Sequence, residues 1–247
     1  MTFQNVRYGE RFIAKTAHIL AEEGVSLTVG YDFGIYRSLV RKSRPKQGIG
    51  APFDPDLHDL GRGNAFWVIG RNADGDIMHT QALRLLDTGQ QTVAEYFTDH
   101  FREFPPAGVD LNLSRSRYRV GPGATRMKGT IAYYGEFWID PSNERYRGSG
   151  LSCFLSRYGF WEAIQHWDPD HVVAFLAKSV VFKGWAARAG WIHAEPGALQ
   201  WALQGRNKCV EGYLGYVHRD DLPYLLDTPL DDIEPAAAPK TAPRRAA

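Results

Sequence analysis

Hydrophobic and polar positions repeat along this chain with two periods, which predict helices and strands. The helical period is found over 11–23, 33–40, 92–104, 151–161 and 179–191. Strand-like alternation or a short apolar run is found over 25–29, 65–69, 77–86, 130–140, 171–177, 199–203 and 211–217. The Asp74-Gly75 pair between two of these strands is typical of a hairpin turn. Helices and strands therefore mix along most of the chain, which predicts an α/β (or α+β) domain.

The segment after the strand at 130–140 carries the strongest functional signal. That strand ends at Pro141, residues Arg145-Tyr-Arg-Gly-Ser-Gly150 form a basic glycine loop, and a helical pattern begins at Leu151. Glycines let a backbone approach a ligand closely, and the first N–H groups of a helix bind anions. Two arginines in the same loop can pair with phosphate oxygens. Together these features predict a loop that binds a diphosphate.

The R-x-x-G-x-G pattern from Arg145 to Gly150, between a strand and a helix, resembles the signature of the GNAT superfamily of CoA-dependent N-acyltransferases. It is not a Walker loop, because no Gly-Lys-Ser/Thr follows, and it is not a dinucleotide fingerprint, which needs three glycines. A second match covers residues 171–191, where a strand leads into a helix that ends at Gly190-Trp191. There Ser179 stands at the position of a family asparagine. Ala186 stands at that of a tyrosine proposed as general acid, which alanine cannot replace.

The resemblance implies a fold and a co-substrate. The expected fold is a mixed, mostly antiparallel central sheet flanked by helices, with the fourth and fifth strands splayed apart. The strand at 130–140 would be the fourth and the strand at 171–177 the fifth. Acetyl-CoA or another acyl-CoA would enter the gap between them and donate its acyl group to an amine. The residues assigned to this cofactor are Phe137, Trp138 and Ile139 for the pantetheine arm, Arg145, Arg147, Gly148, Ser149 and Gly150 for the pyrophosphate, and Ser179.

Glu136 and Tyr134 are the candidate catalytic residues. An attacking amine must first lose a proton, which a positioned carboxylate can accept. Strand alternation puts Tyr134, Glu136 and Trp138 on one face, and in histone-acetylating members of the superfamily a glutamate base falls at the position of Tyr134. Glu136 is therefore a candidate base, and Tyr134 would shape the pocket or return a proton to the leaving thiolate. The alternative for Glu136 is a structural ion pair with an arginine of the insertion, which contains Arg115, Arg117, Arg119 and Arg126.

Length and composition bear on domains, partners and compartment. The chain has 247 residues, enough for one α/β domain, and a net charge of +1 gives no long-range attraction to nucleic acid or anionic membranes. Two cysteines are too few for a disulfide framework, and no Cys/His spacing suggests a metal site. No signal sequence or membrane span is recognisable, which predicts a cytoplasmic protein. The expected parts are an extra N-terminal helix at 1–24, an acyltransferase domain at 25–220 with an insertion at 105–129, and a disordered Pro/Ala-rich tail at 234–247.

Two other functions fit parts of the sequence. Phe53-Asp-Pro-Asp and the later Ala82-Leu-Arg-Leu-Leu-Asp-Thr88 resemble segments of acyl-homoserine-lactone synthases, which would use S-adenosylmethionine. The displaced second aspartate and the absent proline depart from that pattern. Without the resemblance, Asp54, Asp56 and Asp59 are typical of turn residues. A catalytically inactive domain that senses acyl-CoA is the other alternative. For a transferase, the expected partners are a small-molecule or peptide amine and, as an option, a second copy of the chain.

Overall fold

One mixed sheet forms the centre of the molecule, with helices on both of its faces. The computed structural model describes residues 4–142, 146 and 150–228, with side chains from residue 10 onward. The strands are β1 (Ser26–Gly30), β2 (Ala65–Arg71), β3 (Ile77–Leu86), β4 (Arg117–Tyr118), β5 (Ile131–Ile139), β6 (His171–Ala177), β7 (His193–Ala202) and β8 (Cys209–His218). The helices are α1 (Gln4–Glu22), α2 (Phe33–Ser43), α3 (Val93–His100), α4 (Leu151–Trp167), α5 (Lys178–Phe182), α6 (Trp185–Arg188) and α7 (Asp221–Asp227).

The strands lie in the order β1-β2-β3-β5-β6-β8-β7-β4. Every neighbouring pair is antiparallel except β5 and β6, which run parallel. β5 is the strand predicted at 130–140, and it is the fifth in the chain because the short β4 precedes it. The predicted fold class, a mixed and mostly antiparallel sheet flanked by helices, is confirmed.

Both faces of the sheet are covered, which explains the continuous apolar run in β2. Trp67 and Ile69 pack with residues of α2 and α3 on one face, called here the α2/α3 face. Phe66 and Val68 pack with residues of α4 and α7 on the other, called the α4 face. A strand that is covered on both sides has no polar face, so its sequence does not alternate.

The number of helices differs from the prediction in two places. The helix predicted over 179–191 is divided into α5 and α6, because Gly184 adopts a left-handed conformation with φ of +69°. α7 is missing from the prediction, since its 7 residues are too few to establish a helical period. Among the described residues, none of the helices combines the length and apolar character needed to cross a membrane.

The insertion at 105–129 packs onto the sheet. Its two-residue strand β4 pairs with β7, and the N–H of Arg119 donates to the carbonyl of Ala198 at 2.8 Å. Ala124 and Met127 are fully buried. The insertion therefore adds an edge strand, whereas the predicted tail at 234–247 lies outside the described residues.

Candidate active site

β5 and β6 separate partway along their length and leave a gap in the sheet. Their pairing covers only three residue pairs, from Ile131 opposite His171 to Tyr133 opposite Val173. Beyond these pairs, residues 134–139 of β5 have no described strand on their β6 side. A cavity of about 900 Å³ occupies the gap, with lining residues from both strands. The splay expected from the resemblance is therefore present, and the cavity has the size of a cofactor site.

Glu136 sits at a β-bulge in β5. Its φ is +58°, a rare conformation for a residue other than glycine, and the pairing of β5 with β3 shifts between Thr80 and Ala82. The Glu136 side chain lies on the α2/α3 face, next to Gly50, whereas Tyr134 packs on the α4 face. The prediction that Tyr134 and Glu136 share a face is wrong, because strand alternation fails at a bulge.

The Glu136 carboxylate forms a buried ion pair in the cavity wall. Its Oε2 accepts a hydrogen bond from Arg44, and its Oε1 accepts one from the backbone N–H of Gly50 at 2.8 Å. The Arg44 and Glu136 side chains are only 4% and 5% exposed. Burial raises the pKa of Glu136 above its usual range, although Arg44 and the Gly50 N–H oppose the increase.

An ion pair at Glu136 is therefore present, but its predicted partner is wrong. The partner comes from the C-terminal end of α2, 92 residues away in the chain, and not from the arginines of the insertion. Arg117 and Arg119 of the insertion instead lie along β7, at the far edge of the sheet. The pair leaves the carboxylate on the cavity wall, so its structural contact and a chemical role are compatible.

Tyr134 is buried on the α4 face, and its hydroxyl is engaged. The hydroxyl donates to Oε1 of Gln81 and lies 3.3 Å from the carbonyl oxygen of Ser156. Burial raises the pKa of Tyr134 well above the ordinary value for tyrosine, so the phenol stays protonated at neutral pH. The residue also lines the cavity. These contacts favour the pocket-shaping role over the return of a proton to a thiolate.

The backbone of residues 137–139 forms an open strand edge along the gap. On the far side this stretch pairs with β3, where Thr80 lies opposite Trp138 and His79 opposite Ile139. On the gap side, no strand in the described part of the chain pairs with it. Such an edge offers N–H and C=O groups to an extended ligand, as the amides of a pantetheine arm would require.

The glycine loop leads into the helix that borders the cavity. Four of its residues lie outside the described residues: Arg145, Arg147, Gly148 and Ser149. Gly150 caps α4 in a left-handed conformation with φ of +75°, and it lines the cavity together with Ser152 and Cys153. The N-terminus of a 17-residue helix thus faces the cavity, where its partial positive charge favours an anionic group.

Comparison with known proteins gives matches only among solved structures. No protein-family model matches the sequence, and no curated protein matches it. Spermidine N-acetyltransferase from Vibrio cholerae, in complex with CoA and spermine, is 9% identical over 81% of this chain and 98% of that one, with a TM-score of 0.43. NAA60 of Arabidopsis thaliana in complex with acetyl-CoA is 10% identical over 78% of this chain and 98% of that one, with a TM-score of 0.41. Ribosomal-protein-S5-alanine acetyltransferase from Vibrio fischeri is 11% identical over 81% of this chain and 96% of that one, with a TM-score of 0.42.

Likenesses this weak carry no argument about function. The mixed, mostly antiparallel sheet and the splay of β5 from β6 are properties of the chain itself, and they match the arrangement that the sequence resemblance implies. The motif is a property of the sequence and the topology is a property of the structure, and the two agree.

The second motif of the GNAT-like pattern is only partly placed at the cavity. Ser179 is exposed on α5 and is not among the cavity-lining residues, and Ala186 is buried in the core of the α4 face. Lys183, Trp185 and Arg188, which the sequence did not identify, are among the residues of this segment that line the cavity. Trp185 donates from Nε1 to Oγ of Ser152 at 3.0 Å, which ties α6 to the start of α4. The signal that the sequence offers for this part of the site is the pair of basic residues, Lys183 and Arg188, on either side of the helix-breaking Gly184.

Aromatic rings form the part of the cavity on the α2/α3 face. The rings belong to Phe53, Phe104, Tyr133, Phe175 and Trp201. They come from separate elements, so only Tyr133, which shares a strand with Glu136, could be suspected from the sequence. The result is an apolar wall beside the one buried carboxylate of the described lining.

The segments that resemble acyl-homoserine-lactone synthases meet in space. Phe53 lines the cavity, and Arg84 donates from Nη1 to the carbonyl of Pro52 at 2.9 Å. Asp54 and Asp56, however, pair with Arg37 at 3.1 and 2.6 Å and are not among the cavity-lining residues. Asp54 accepts the backbone N–H of Asp56 at 3.1 Å, so it acts as the turn residue that the sequence predicts.

His79 is fully buried within the sheet and is neutral. Its Nδ1 donates to the carbonyl oxygen of Trp138 at 2.7 Å, and its ring meets Phe137 edge-on. Burial lowers the pKa of His79 from 6.5 to about 4, despite the hydrogen bond to Trp138. His79 therefore supports β5 from behind, through its hydrogen bond to Trp138.

We expect His79 to make the protein sensitive to acid. A group whose pKa is lower in the folded state contributes stability above its unfolded pKa, and this is lost as the pH falls. The difference between 6.5 and about 4 corresponds to about 3 kcal/mol, lost progressively over that pH range. Urea unfolding as a function of pH should show a decline that is much smaller in His79→Gln. An equal decline in both proteins would contradict this, and His100→Gln, at an exposed site, is the control.

Proposed function

We propose that this protein is an N-acyltransferase that moves an acetyl or longer acyl group from acyl-CoA to the nitrogen of an amine. The observation that carries the proposal is the gap between β5 and β6, whose cavity reaches from the N-terminus of α4 to Glu136. A thioester that lies extended along this gap has its phosphates at a helix N-terminus and its acyl group beside a buried carboxylate. Few other ligands need an anion site, an open strand edge and a proton acceptor in that order.

The donor would be held mainly by backbone groups. The open edge at 137–139 pairs with the pantetheine amides, and the loop from Arg145 to Gly150 binds the pyrophosphate with its arginines and with the helix N–H groups. Lys183 and Arg188 line the same cavity and add positive charge near the phosphates. Ser179 is assigned to the cofactor by the motif alone.

Glu136 would accept the proton of the amine, directly or through a water molecule. The amine nitrogen then attacks the thioester carbon, the C–S bond breaks, and CoA leaves as a thiolate that takes up a proton. A carboxylate whose pKa is raised by burial is a stronger base than one in water, and Arg44 and the Gly50 N–H fix its orientation. Backbone N–H groups of the β5 edge are the available donors to the tetrahedral oxyanion. Tyr134 shapes the pocket from the α4 face.

The glycine loop gives a direct test of CoA binding. Arg147→Ala should weaken CoA binding by about 1–3 kcal/mol, because a charge-assisted contact to the pyrophosphate is lost. Gly148→Val should weaken it as well, since the new side chain stands where the backbone must approach the phosphates. Calorimetric titration with CoA measures both effects. Arg117→Ala removes an exposed arginine of β4 and should leave the affinity unchanged. If both loop variants remain folded and bind CoA like the wild type, the cofactor assignment is wrong.

A second candidate is a synthase that takes its amine from S-adenosylmethionine. It is favoured by the position of Phe53 in the cavity wall and by the contact between Arg84 and Pro52, which join the two segments with that resemblance. Against it, Asp54 and Asp56 pair with Arg37 at the surface. Thermal-shift measurements with acetyl-CoA, longer acyl-CoAs and S-adenosylmethionine separate the candidates. Stabilisation by S-adenosylmethionine selects the synthase, and CoA binding without turnover on an amine panel selects an inactive sensor.

A further inference from the structure

Three imidazoles lie on one face of three adjacent strands, at the end of the sheet away from the gap. In the sheet register, His171 of β6 lies opposite His218 of β8, and His193 of β7 lies opposite Tyr216 of β8. Residues 216 and 218 are two positions apart, so their side chains emerge on the same face. The sheet register therefore brings together histidines that lie up to 47 residues apart in the chain.

A carboxylate completes the group. Asp221, the first residue of α7, has its Oδ2 3.1 Å from Nε2 of His193, and the same oxygen accepts the backbone N–H of His218 at 2.9 Å. One donor atom each from His193, His218 and Asp221 lies within 4.8 Å of the other two. All three residues are partly buried.

We propose that His193, His218 and Asp221 bind a divalent transition-metal ion of the zinc class. Imidazole and carboxylate are ligands of such ions, and three protein ligands with a fourth open position are common at zinc sites. Bonds of 2.0–2.2 Å in a tetrahedron put the donor atoms roughly 3.3 Å apart. The 3.1 Å between His193 and Asp221 fits this spacing, and the remaining donor is close enough to reach it with a small side-chain movement.

The surroundings already orient these rings. Histidines that bind metals are usually held through their other nitrogen, and Nδ1 of His218 is hydrogen-bonded to Nδ1 of His171 at 2.8 Å. If His218 donates in this bond, its Nε2 has a free lone pair for the metal. The His171 ring is itself held by a hydrogen bond to the backbone of Lys128. The His193 ring stacks on Tyr216 with the centroids 4.7 Å apart.

The charges around the group permit a cation. Arg219, which follows His218 in the sequence, is paired with Asp168 and Asp170. None of the three proposed ligands is among the cavity-lining residues, so the site is separate from the acyl-transfer site and does not depend on that proposal. The side chains of His193 and Asp221 are 36% and 24% exposed, which leaves an entry path for the ion.

Titration of the full-length, untagged and metal-free protein with Zn²⁺ tests the proposal. We expect saturable binding of one ion, lost in His193→Ala and in Asp221→Asn. His171→Phe, which removes only the support of the His218 ring, should weaken binding by about 10–100-fold. His100→Ala is the matched control, because His100 pairs with Glu103 at 2.7 Å but belongs to no such three-residue group among the described residues. It should bind Zn²⁺ like the wild type.

X-ray absorption of the zinc-loaded wild type gives a result that does not depend on any variant. It should show nitrogen and oxygen neighbours only. Sulfur neighbours would assign the zinc to Cys153 or Cys209 and overturn the proposal. The proposal would also be overturned if the wild type bound Zn²⁺ no more tightly than a folded His193→Ala/His218→Ala protein.

Discussion

Glu136→Gln should lower the rate of acyl transfer to a cationic amine by about 10²–10⁴-fold while CoA affinity barely changes. Glutamine keeps the size and hydrogen-bonding capacity of the side chain, and the Gly50 N–H can still donate to it. What it loses is the ability to accept a proton. The rate must be expressed per folded molecule, because the change also leaves the buried Arg44 without its counter-charge.

The control for this variant is Glu162→Gln on α4. Glu162 is also buried, and burial also raises its pKa, but it is not among the cavity-lining residues. It should change stability and leave the rate per folded molecule near normal. In the wild type, the rate should fall as the pH drops through the raised pKa of Glu136, and a folded Glu136→Gln protein should lose this limb. An unchanged acidic limb would eliminate Glu136 as the base.

Arg44→Met should destabilise the protein by about 3–5 kcal/mol near pH 8, because it leaves a buried carboxylate without its charged partner. Without Arg44, the pKa of Glu136 in the folded state moves further above its unfolded value. A group of this kind contributes stability below its unfolded pKa and loses it as the pH rises. The loss measured by urea unfolding should therefore be smaller near pH 5 than near pH 8.

Two comparisons isolate the charge from the packing of the arginine. Arg44→Met/Glu136→Gln has no buried charge at this site and should regain a large part of the lost stability. Arg37→Met breaks the partly exposed pairs with Asp54 and Asp56 and should cost much less stability than Arg44→Met. If Arg44→Met costs no more than Arg37→Met, the ion pair does not stabilise the Glu136 carboxylate.

The sequence predicts the fold well where a local pattern decides the structure. The strand before the glycine loop, the helix that begins at Leu151 and the hairpin at Asp74-Gly75 are all present, because each depends on neighbouring residues. α5 and α6 were predicted as one helix because a glycine inside an apolar pattern does not reveal its φ. The pairing of β4 with β7 depends on contacts between distant segments, which periodicity does not report.

The site was predictable in outline and not in its contacts. The motif points to the cavity and to Glu136, but the bulge that turns Glu136 away from the face of Tyr134 leaves no trace in the alternation of the strand. Arg44 lies 92 residues from its partner, and the aromatic wall is assembled from several elements. His193 lies 25 residues from His218 in the sequence, and the sheet register brings them together, while Asp221 joins them from the start of α7.

The central claim is that an acyl-CoA occupies the gap between β5 and β6, and a crystal structure of the protein with acetyl-CoA tests it most directly. The account predicts that the pantetheine amides pair with the backbone of residues 137–139, with the pyrophosphate on the loop before Leu151 and the thioester carbonyl near Glu136. Density for acetyl-CoA outside the gap would contradict the account. So would a gap that stays empty in crystals grown at saturating acetyl-CoA.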